Sequence, residues 1–276
     1  MRLAYQGEPG AYSEAAALVY GGSHAETLPC KAFEDVFEAV VKKKATHGVL
    51  PLENSIGGTI HRNYDLLLEH DLTITGEVEL DVVHCLQALP GTKLADVKVV
   101  YSHPQALAQC ERYLRDLGAT VEAVYDTAGG AKLVSEQRLA GAAALASRRA
   151  AEVFGLEVLQ EAVQDYEFNI TRFAIIGGAL PADGNKTTIV FSLPSTPGAL
   201  FKALSVFALR DINLTKLESR PLRGSPWEYL FYVEVDARRD DPACARALMH
   251  LGEFAKWTRV LGTYRGWERG SLSGTK

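Results

Sequence analysis

Long apolar runs are missing from the 276 residues, and none approaches the roughly 18 that a membrane-spanning helix needs. Concentrated positive charge is missing too. The formal net charge is −5, and the one basic run, Lys42–Lys44, falls at the end of a predicted helix, where cations suit the dipole. Phosphate binding needs clustered Lys and Arg, so nucleic acid is not expected as a partner. Cysteine is scarce: Cys30, Cys85, Cys110 and Cys244 lie far apart with no C-x-x-C pair, a spacing that suits neither zinc nor a redox motif. The first three sit in or beside apolar stretches, as buried free thiols of a reducing compartment do. No G-x-G-x-x-G or P-loop, no H-E-x-x-H, no G-x-S-x-G and no paired-carboxylate motif is found, which leaves nucleotide cofactors, metals and activated nucleophiles without support. His61 and His103 are lone histidines without ligand spacing, and neither a metal nor a cofactor is expected. Met1–Tyr5 runs straight into a strand-like segment with no leader pattern, so a cytoplasmic protein, or the mature form of an imported one, is expected.

What is present is the balance of a globular protein, 47% hydrophobic and 23% charged residues. The length predicts two domains. Over residues 2–180 short apolar strands alternate with amphipathic helices, the pattern of an α/β fold. Arg2–Gln6 reads as a strand, Ser13 as the N-cap of a helix, and Phe33, Val36, Phe37, Val40 and Val41 as one helical stripe facing a core. A second strand covers residues 48–52 and a helix residues 60–70. The β-branched stretch 72–89 is long enough to cross between two lobes. A strand at 97–101 leads into a helix from Ser102–Pro104 to about Gly118. A strand at 120–125, helices after Thr127 and around 144–154, and a strand at 171–177 complete the unit. Gly177–Gly178, Pro181 and Asp183–Asn185 mark a boundary. Beyond it the order is strand, helix, strand, strand, helix, strand, the ferredoxin-like βαββαβ pattern.

Five polar segments fall at strand ends or helix starts, where open α/β folds bind ligands: residues 7–13, 53–59, 102–105, 126–130 and 169–173. Together they suit a small, anionic, oxygen-rich ligand held by hydroxyls, amides and backbone N–H groups. Taken singly, Ser102 and Thr127 read as helix caps and Glu53–Asn54–Ser55 as a polar strand end. Arg172, between Thr171 and Phe173, reads either as a carboxylate-binding group in a cleft or as a partner of Asp165 or Glu167.

These same segments carry a resemblance: Gly7–Ser13, Pro51–Ser55, Ser102–Leu107, Asp126–Gly129 and Asn169–Phe173 are similar to the prephenate dehydratase family. Pro197–Phe201 and Glu218–Pro221 resemble its ACT regulatory domain. The stretches 61–67 and 207–216 look most like the branch that includes plant arogenate dehydratases. The resemblance spans nearly the whole chain in order. It implies a two-lobed catalytic domain similar to periplasmic binding proteins over residues 1–180, an ACT domain over 186–266, a flexible tail over 267–276, and no chorismate mutase activity. The implied reaction removes CO₂ and the ring hydroxyl from a cyclohexadienyl acid, giving phenylpyruvate from prephenate or phenylalanine from arogenate. By the family's motif Thr171 is essential, as donor of a hydrogen bond to the leaving hydroxyl. Arg172 orients a carboxylate and Phe173 walls the ring pocket. Asn54, Ser55, Ser102 and Thr127 position substrate, with Glu53 and His103 assisting proton movement. The resemblance further implies that L-phenylalanine binds the ACT domain through Gly198, Ala199, Leu200, Asn213, Leu214 and Glu218–Ser219–Arg220. It implies a homodimer or dimer of dimers, in the cytoplasm or, after loss of a transit peptide, the plastid stroma. The alternative from another class is a non-catalytic amino-acid sensor.

Overall fold

Leu3, Ala4 and Tyr5 follow one another in the chain and are all wholly buried, as a strand covered on both faces requires. They lie in β1 (Arg2–Gln6), inside a sheet whose order is β2 (Glu26–Cys30), β1, β3 (His47–Asn54), β11 (Ile170–Gly177), β5 (Ile74–Asp81). A short β4 (Gly58–Thr59) folds back antiparallel on β3. β1 is parallel to both its neighbours, and α1 (Tyr12–Gly21) and α2 (Phe33–Val41) make the crossovers. On α2 the predicted stripe buries Val36, Phe37 and Val40, while Val41, in the last turn, is exposed. α3 (His61–Glu69) follows β4. The computed structural model describes residues 1–268 apart from Ser23, Arg223 and Pro226; most of the expected tail, 269–276, lies outside the described residues.

A second sheet has the order β10 (Glu157–Gln160), β6 (Cys85–Ala88), β9 (Ala142–Ala146), β7 (Val99–Ser102), β8 (Thr120–Ala123). The expected single stretch 72–89 is thus two strands in different sheets, joined by Val82–His84. The chain returns through residues 161–169, and the two crossings are tied by Val82 N to Asn169 O at 2.7 Å and Val163 N to His84 O at 3.0 Å.

Three local expectations are corrected. Residues 142–146, expected in part as helix, are a fully buried central strand. Alanine favours helix, but pairing with β7 on one side and β6 on the other holds the run extended, and its small side chains let α6 (Thr127–Glu136) pack against it. Only α7 (Arg148–Phe154) is helical there. The helix from Pro104 breaks at Cys110 into α4 (Pro104–Gln109) and α5 (Glu111–Leu117). Ser13 is not a cap: α1 starts at Tyr12, after Ala11, with no side-chain cap. The turn before it instead brings Gly10, at φ +91°, against α7, where a Cβ would stand 2.6 Å from Ala150 Cα.

By internal packing the chain divides into two compact units, residues 1–70 with 78–174, and residues 71–77 with those from 175 on. The division passes through β5 and β11. The second unit has the order β12 (Lys186–Ser192), α8 (Ala199–Ala208), β13 (Leu214–Pro221), β14 (Tyr229–Val235), α9 (Pro242–Phe254), β15 (Trp257–Tyr264), the expected βαββαβ pattern. Its antiparallel sheet runs β13, β14, β12, β15. Ile189, Phe191 and Val233 from the sheet meet Val206, Phe207 and Leu251 from the helices in one apolar core. Within this unit Lys186 Nζ lies 3.0 Å from both Glu77 carboxylate oxygens and 3.9 Å from Glu234.

Candidate active site

Strand ends and helix starts of the first unit enclose a cavity of about 490 Å³. The first sheet and its helices contribute Gln6, Tyr12, Glu34, Asn54, Thr171 and Phe173; the second contributes His103, Gln109, Asp126 and Thr127, and His84 comes from the crossing between them. Alternation along β11 decides which motif residues reach it: Thr171 and Phe173 line the wall. Arg172 is not on the lining, and its guanidinium lies 2.9 Å from Glu53 on β3, with neither Asp165 nor Glu167 as that partner. Asp165 instead accepts from the backbone N of Arg112.

One polar chain runs along the cavity wall, and backbone donors fix its sense. The N–H groups of Ile56 and Gly57 point at one oxygen, Asn54 Oδ1, at 3.1 and 2.7 Å. Asn54 Nδ2 therefore faces outward and donates to Asn169 Oδ1 at 2.7 Å and Thr171 Oγ1 at 3.0 Å. Asn169 Nδ2 then donates to Gln109 Oε1 at 2.9 Å, which lies 2.9 Å from His84 Nε2. His84 Nδ1 in turn stands 3.0 Å from the Tyr12 hydroxyl. Asn54, Asn169, Gln109, His84 and Thr171 are all buried, so these bonds are strong and costly to leave unmade. Thr171 Oγ1 accepts from Asn54, and its own hydrogen meets no acceptor among the described residues, which leaves it for whatever enters the cavity.

The other expected residues divide in the same way. His103 and Thr127 line the cavity, whereas Ser55 and Ser102 do not. Ser102 is wholly buried and gives its hydroxyl to Leu145 O, pinning β7 to β9. Ser55 Oγ accepts from Ile170 N at 3.0 Å and reaches Phe168 O at 3.3 Å, holding the start of β11. The cap of α4 is His103, whose Nδ1 accepts from Gln105 N at 3.2 Å, and that of α6 is Asp126, which accepts from Gly129 N; Ser102 and Thr127 are not the caps. Burial pushes the Asp126 carboxyl up, opposed by the Gly129 and Glu8 N–H groups. Burial pulls both imidazoles down, with Asp126 partly restoring His103 and Gln109 partly restoring His84. Tyr12 and Asn169 fall in the marked segments 7–13 and 169–173 without a role of their own, and His84 and Gln109 lie outside all five segments. The available signal was a histidine set in the apolar run Val82-Val83-His84-Cys85-Leu86.

In the second unit a groove of about 380 Å³ is lined by Leu193, Pro194, Ala199, Leu200, Trp227 and Phe231 among others. Ala199 and Leu200 belong to the expected effector set. Asn213 is not on this groove and donates to Asp236 at 2.9 Å, and Leu214 and the 218–220 segment lie along β13, with Glu218 3.8 Å from Lys216. Gly198 caps α8 at φ +75°; a Cβ there would meet nothing within 4 Å, so the backbone angle rather than close approach calls for glycine. Among the described residues no cluster of three or more His, Cys, Asp or Glu is placed to hold a metal, and no helix is long and apolar enough to cross a membrane.

Residues 3–179 match the family model described as prephenate dehydratase, and residues 187–250 match the ACT domain. Arogenate dehydratase/prephenate dehydratase 2, chloroplastic, from Arabidopsis thaliana is 51% identical, over 96% of this chain and 72% of that protein. Arogenate dehydratase 2 from Petunia hybrida is 50% identical, over 96% and 71%. A prephenate dehydratase from Arthrobacter aurescens, solved in complex with L-Phe, has a TM-score of 0.87 and 32% identity over 96% of this chain and 90% of that one. A structure described as GqqA, a novel type of quorum-quenching acylase, has a TM-score of 0.90 and 37% identity, over 98% and 99%.

Proposed function

This chain is a dehydratase of the prephenate dehydratase family that carries an ACT domain, and from that premise we propose that its cavity removes CO₂ and the ring hydroxyl together from prephenate, arogenate or both. Aromatisation drives the reaction. The protein has to hold two carboxylates and assist departure of the hydroxide. The observation that carries the proposal is the Thr171 hydroxyl, oriented by Asn54 with its hydrogen free toward the cavity. A threonine hydroxyl is a poor acid at neutral pH, so its part is to donate a hydrogen bond to the leaving oxygen. Phe173 supplies the apolar wall, and the start of α6 at Thr127, with His103, receives a carboxylate. Arg172 with Glu53, Ser55 and Ser102 act as positioning residues, since their partners are protein groups.

For the ACT domain the proposed effector is L-phenylalanine, held near Gly198–Leu200, with pairing of ACT domains into a homodimer or dimer of dimers. The groove beside α8 and the relative solved with L-Phe support this. To inhibit, phenylalanine must bind the less active arrangement better. The chloroplastic relatives support the plastid stroma as the compartment, with the cytoplasm as the alternative.

The acylase description of one structural relative offers a second activity, and the cavity speaks against it here. Acyl transfer needs a nucleophile paired to a base. The His84 nitrogens face Gln109 and Tyr12, and His103 Nδ1 faces a backbone N–H. No described serine or threonine of the cavity hydrogen-bonds an imidazole.

The test offers the purified protein prephenate and arogenate in parallel, with and without phenylalanine. Turnover of either supports the dehydratase, and the ratio of kcat/KM values assigns its substrate. Thr171→Ala should lose about 100-fold or more in kcat, the scale of one positioned donor. If neither substrate turns over, the reading falls and the sensor takes its place.

A further inference from the structure

The cavity lining contains no Lys or Arg among the described residues. Its titratable groups are Glu34, Asp126, Tyr12, Tyr125, His84 and His103. Arg62 lies 2.7 Å from Glu34 and balances its charge, while Asp126 is held by backbone N–H groups and faces His103. A substrate with two carboxylates, as the proposed function requires, therefore enters a site whose own lining charge is already negative. Beyond the N–H groups at the start of α6, the lining side chains able to gain positive charge are the imidazoles of His84 and His103.

The bonds around His84 are one hydrogen short. Elimination along the polar chain, starting from the Ile56 and Gly57 N–H groups, puts an acceptor, Gln109 Oε1, opposite His84 Nε2, so Nε2 carries a hydrogen. On the other side of the ring the Tyr12 hydroxyl is 3.0 Å from Nδ1 and 2.7 Å from Val83 O. Tyr12 has a single hydrogen for those two acceptors. Burial pushes its ionisation well above the ordinary tyrosine range, with Cys85 and Cys110 as the nearby titratable groups, so it stays a phenol. One proton placed on His84 Nδ1 completes the set: Nδ1–H donates to Tyr12, Tyr12 donates to Val83 O, and Nε2–H donates to Gln109. Among the described residues His84 has no ion pair; its backbone N donates to Gln164 Oε1 at 3.0 Å and its backbone O accepts from Val163 N at 3.0 Å.

We propose that His84 is a positioning and charge-balancing residue, which takes up one proton from solvent at Nδ1 when the site binds its dicarboxylate substrate. The two ring states hold Tyr12 differently: the hydroxyl hydrogen lies on His84 when the ring is neutral and on Val83 O when it is charged. Substrate binding is thereby linked to proton binding at the ring that anchors Gln109 and, through it, the Asn169–Asn54–Thr171 chain. With an empty cavity, burial keeps His84 below its ordinary value and the ring neutral at pH 7. Two carboxylates nearby reverse that preference.

This inference rests on the dehydratase reading, and the pH profile tests it. In the wild type kcat/KM should fall about tenfold per pH unit between pH 7 and 8 while kcat stays level, because the free enzyme must gain a proton that the complex already holds. His103→Gln should keep that slope and His84→Gln should lose it. A slope that survives in His84→Gln, or that vanishes only in His103→Gln, overturns the proposal. Should His84→Gln fail to fold, calorimetric titration of Thr171→Ala with prephenate at pH 7.5 in phosphate and in Tris reads the uptake directly, about one proton being expected. Heats independent of buffer overturn it. Wild-type turnover of prephenate or arogenate separates the two readings: turnover without proton uptake removes only the role of His84, whereas no turnover removes the dehydratase and this inference together.

Discussion

Asn54 Nδ2 and Thr171 Oγ1 stand 3.0 Å apart on neighbouring strands of the first sheet, and the amide is the donor. The same nitrogen faces Asn169 Oδ1 and Ile170 O. Asn54→Asp keeps the shape but sets a charged oxygen against three acceptors. Asn54→Ala only leaves them short of a donor, at a cost of about 1–3 kcal/mol. Urea denaturation should therefore rank wild type above Asn54→Ala above Asn54→Asp, with kcat in the same order. An aspartate variant as active as wild type would refute the assigned donor direction.

A second buried carboxylate sets an acid limit on stability. Burial pushes Glu14 up, but hydrogen bonds from Arg149, Gly10 N and Thr27 hold it below its ordinary value. A depressed carboxyl stabilises above its unfolded value, about 4.3, and that contribution is lost as pH falls through the lower folded value. Arg149→Met removes the main partner. Its deficit in melting temperature should be full at pH 7 and smaller at pH 3.5. A deficit of equal size at both pH values would mean that packing, not charge, sets the cost.

Lys186 pairs with Glu77 and Glu234, all three side chains being largely buried. Lys186→Met takes away the cation and leaves both carboxylates, which costs about 3–5 kcal/mol. Adding Glu77→Gln should return part of the loss, since the two sites are coupled. Additive effects in the double variant would count against the coupling.

Thiol chemistry follows burial. Cys110 is pushed up to about 12 and Cys244 to about 11, in both cases chiefly by burial, and Cys85 is buried as well. Cys30 is half-buried, and burial raises it too. Iodoacetamide at pH 7.5 should modify Cys30 first and slowly, and the other three only after unfolding. Early labelling of Cys110, read by peptide mass, would contradict the burial.

Much of the fold was legible because period and burial agree locally. Leu3–Tyr5 is an apolar run, Val36–Val40 keeps helical spacing, and the βαββαβ order needs only the alternation of strand and helix signals. What failed depended on distant partners. Ala142–Ala146 is helix-favouring by composition and becomes a strand only between β6 and β7. The site divides similarly. Thr171, Phe173, Asn54, His103 and Thr127 sit in short motifs, and all five line the cavity. Tyr12 and Asn169 sit in motifs too, but with His84 and Gln109 they become a network only when the chain crosses twice between sheets. Arg172 reads either as a cleft residue or as a partner of Asp165 or Glu167 until the alternation of β11 sets it beside Glu53.

Those two crossings have a mechanical consequence. The chain passes between the two sheets only at Val82–His84 and residues 161–169, which lie side by side and are pinned at Val82–Asn169 and Val163–His84. Such a strap is a hinge, and displacement about a hinge grows with distance from it. His84 and Asn169 lie on the axis. Between the two halves Glu8 meets Tyr125 at 2.8 Å and Lys132 at 3.1 Å, and Glu14 meets Arg149 at 2.8 Å, contacts that together act as a latch. Opening wide enough to admit a substrate would part the latch and leave the polar chain beside Thr171 nearly still. In such an opening the reacting end of the cavity would stay assembled.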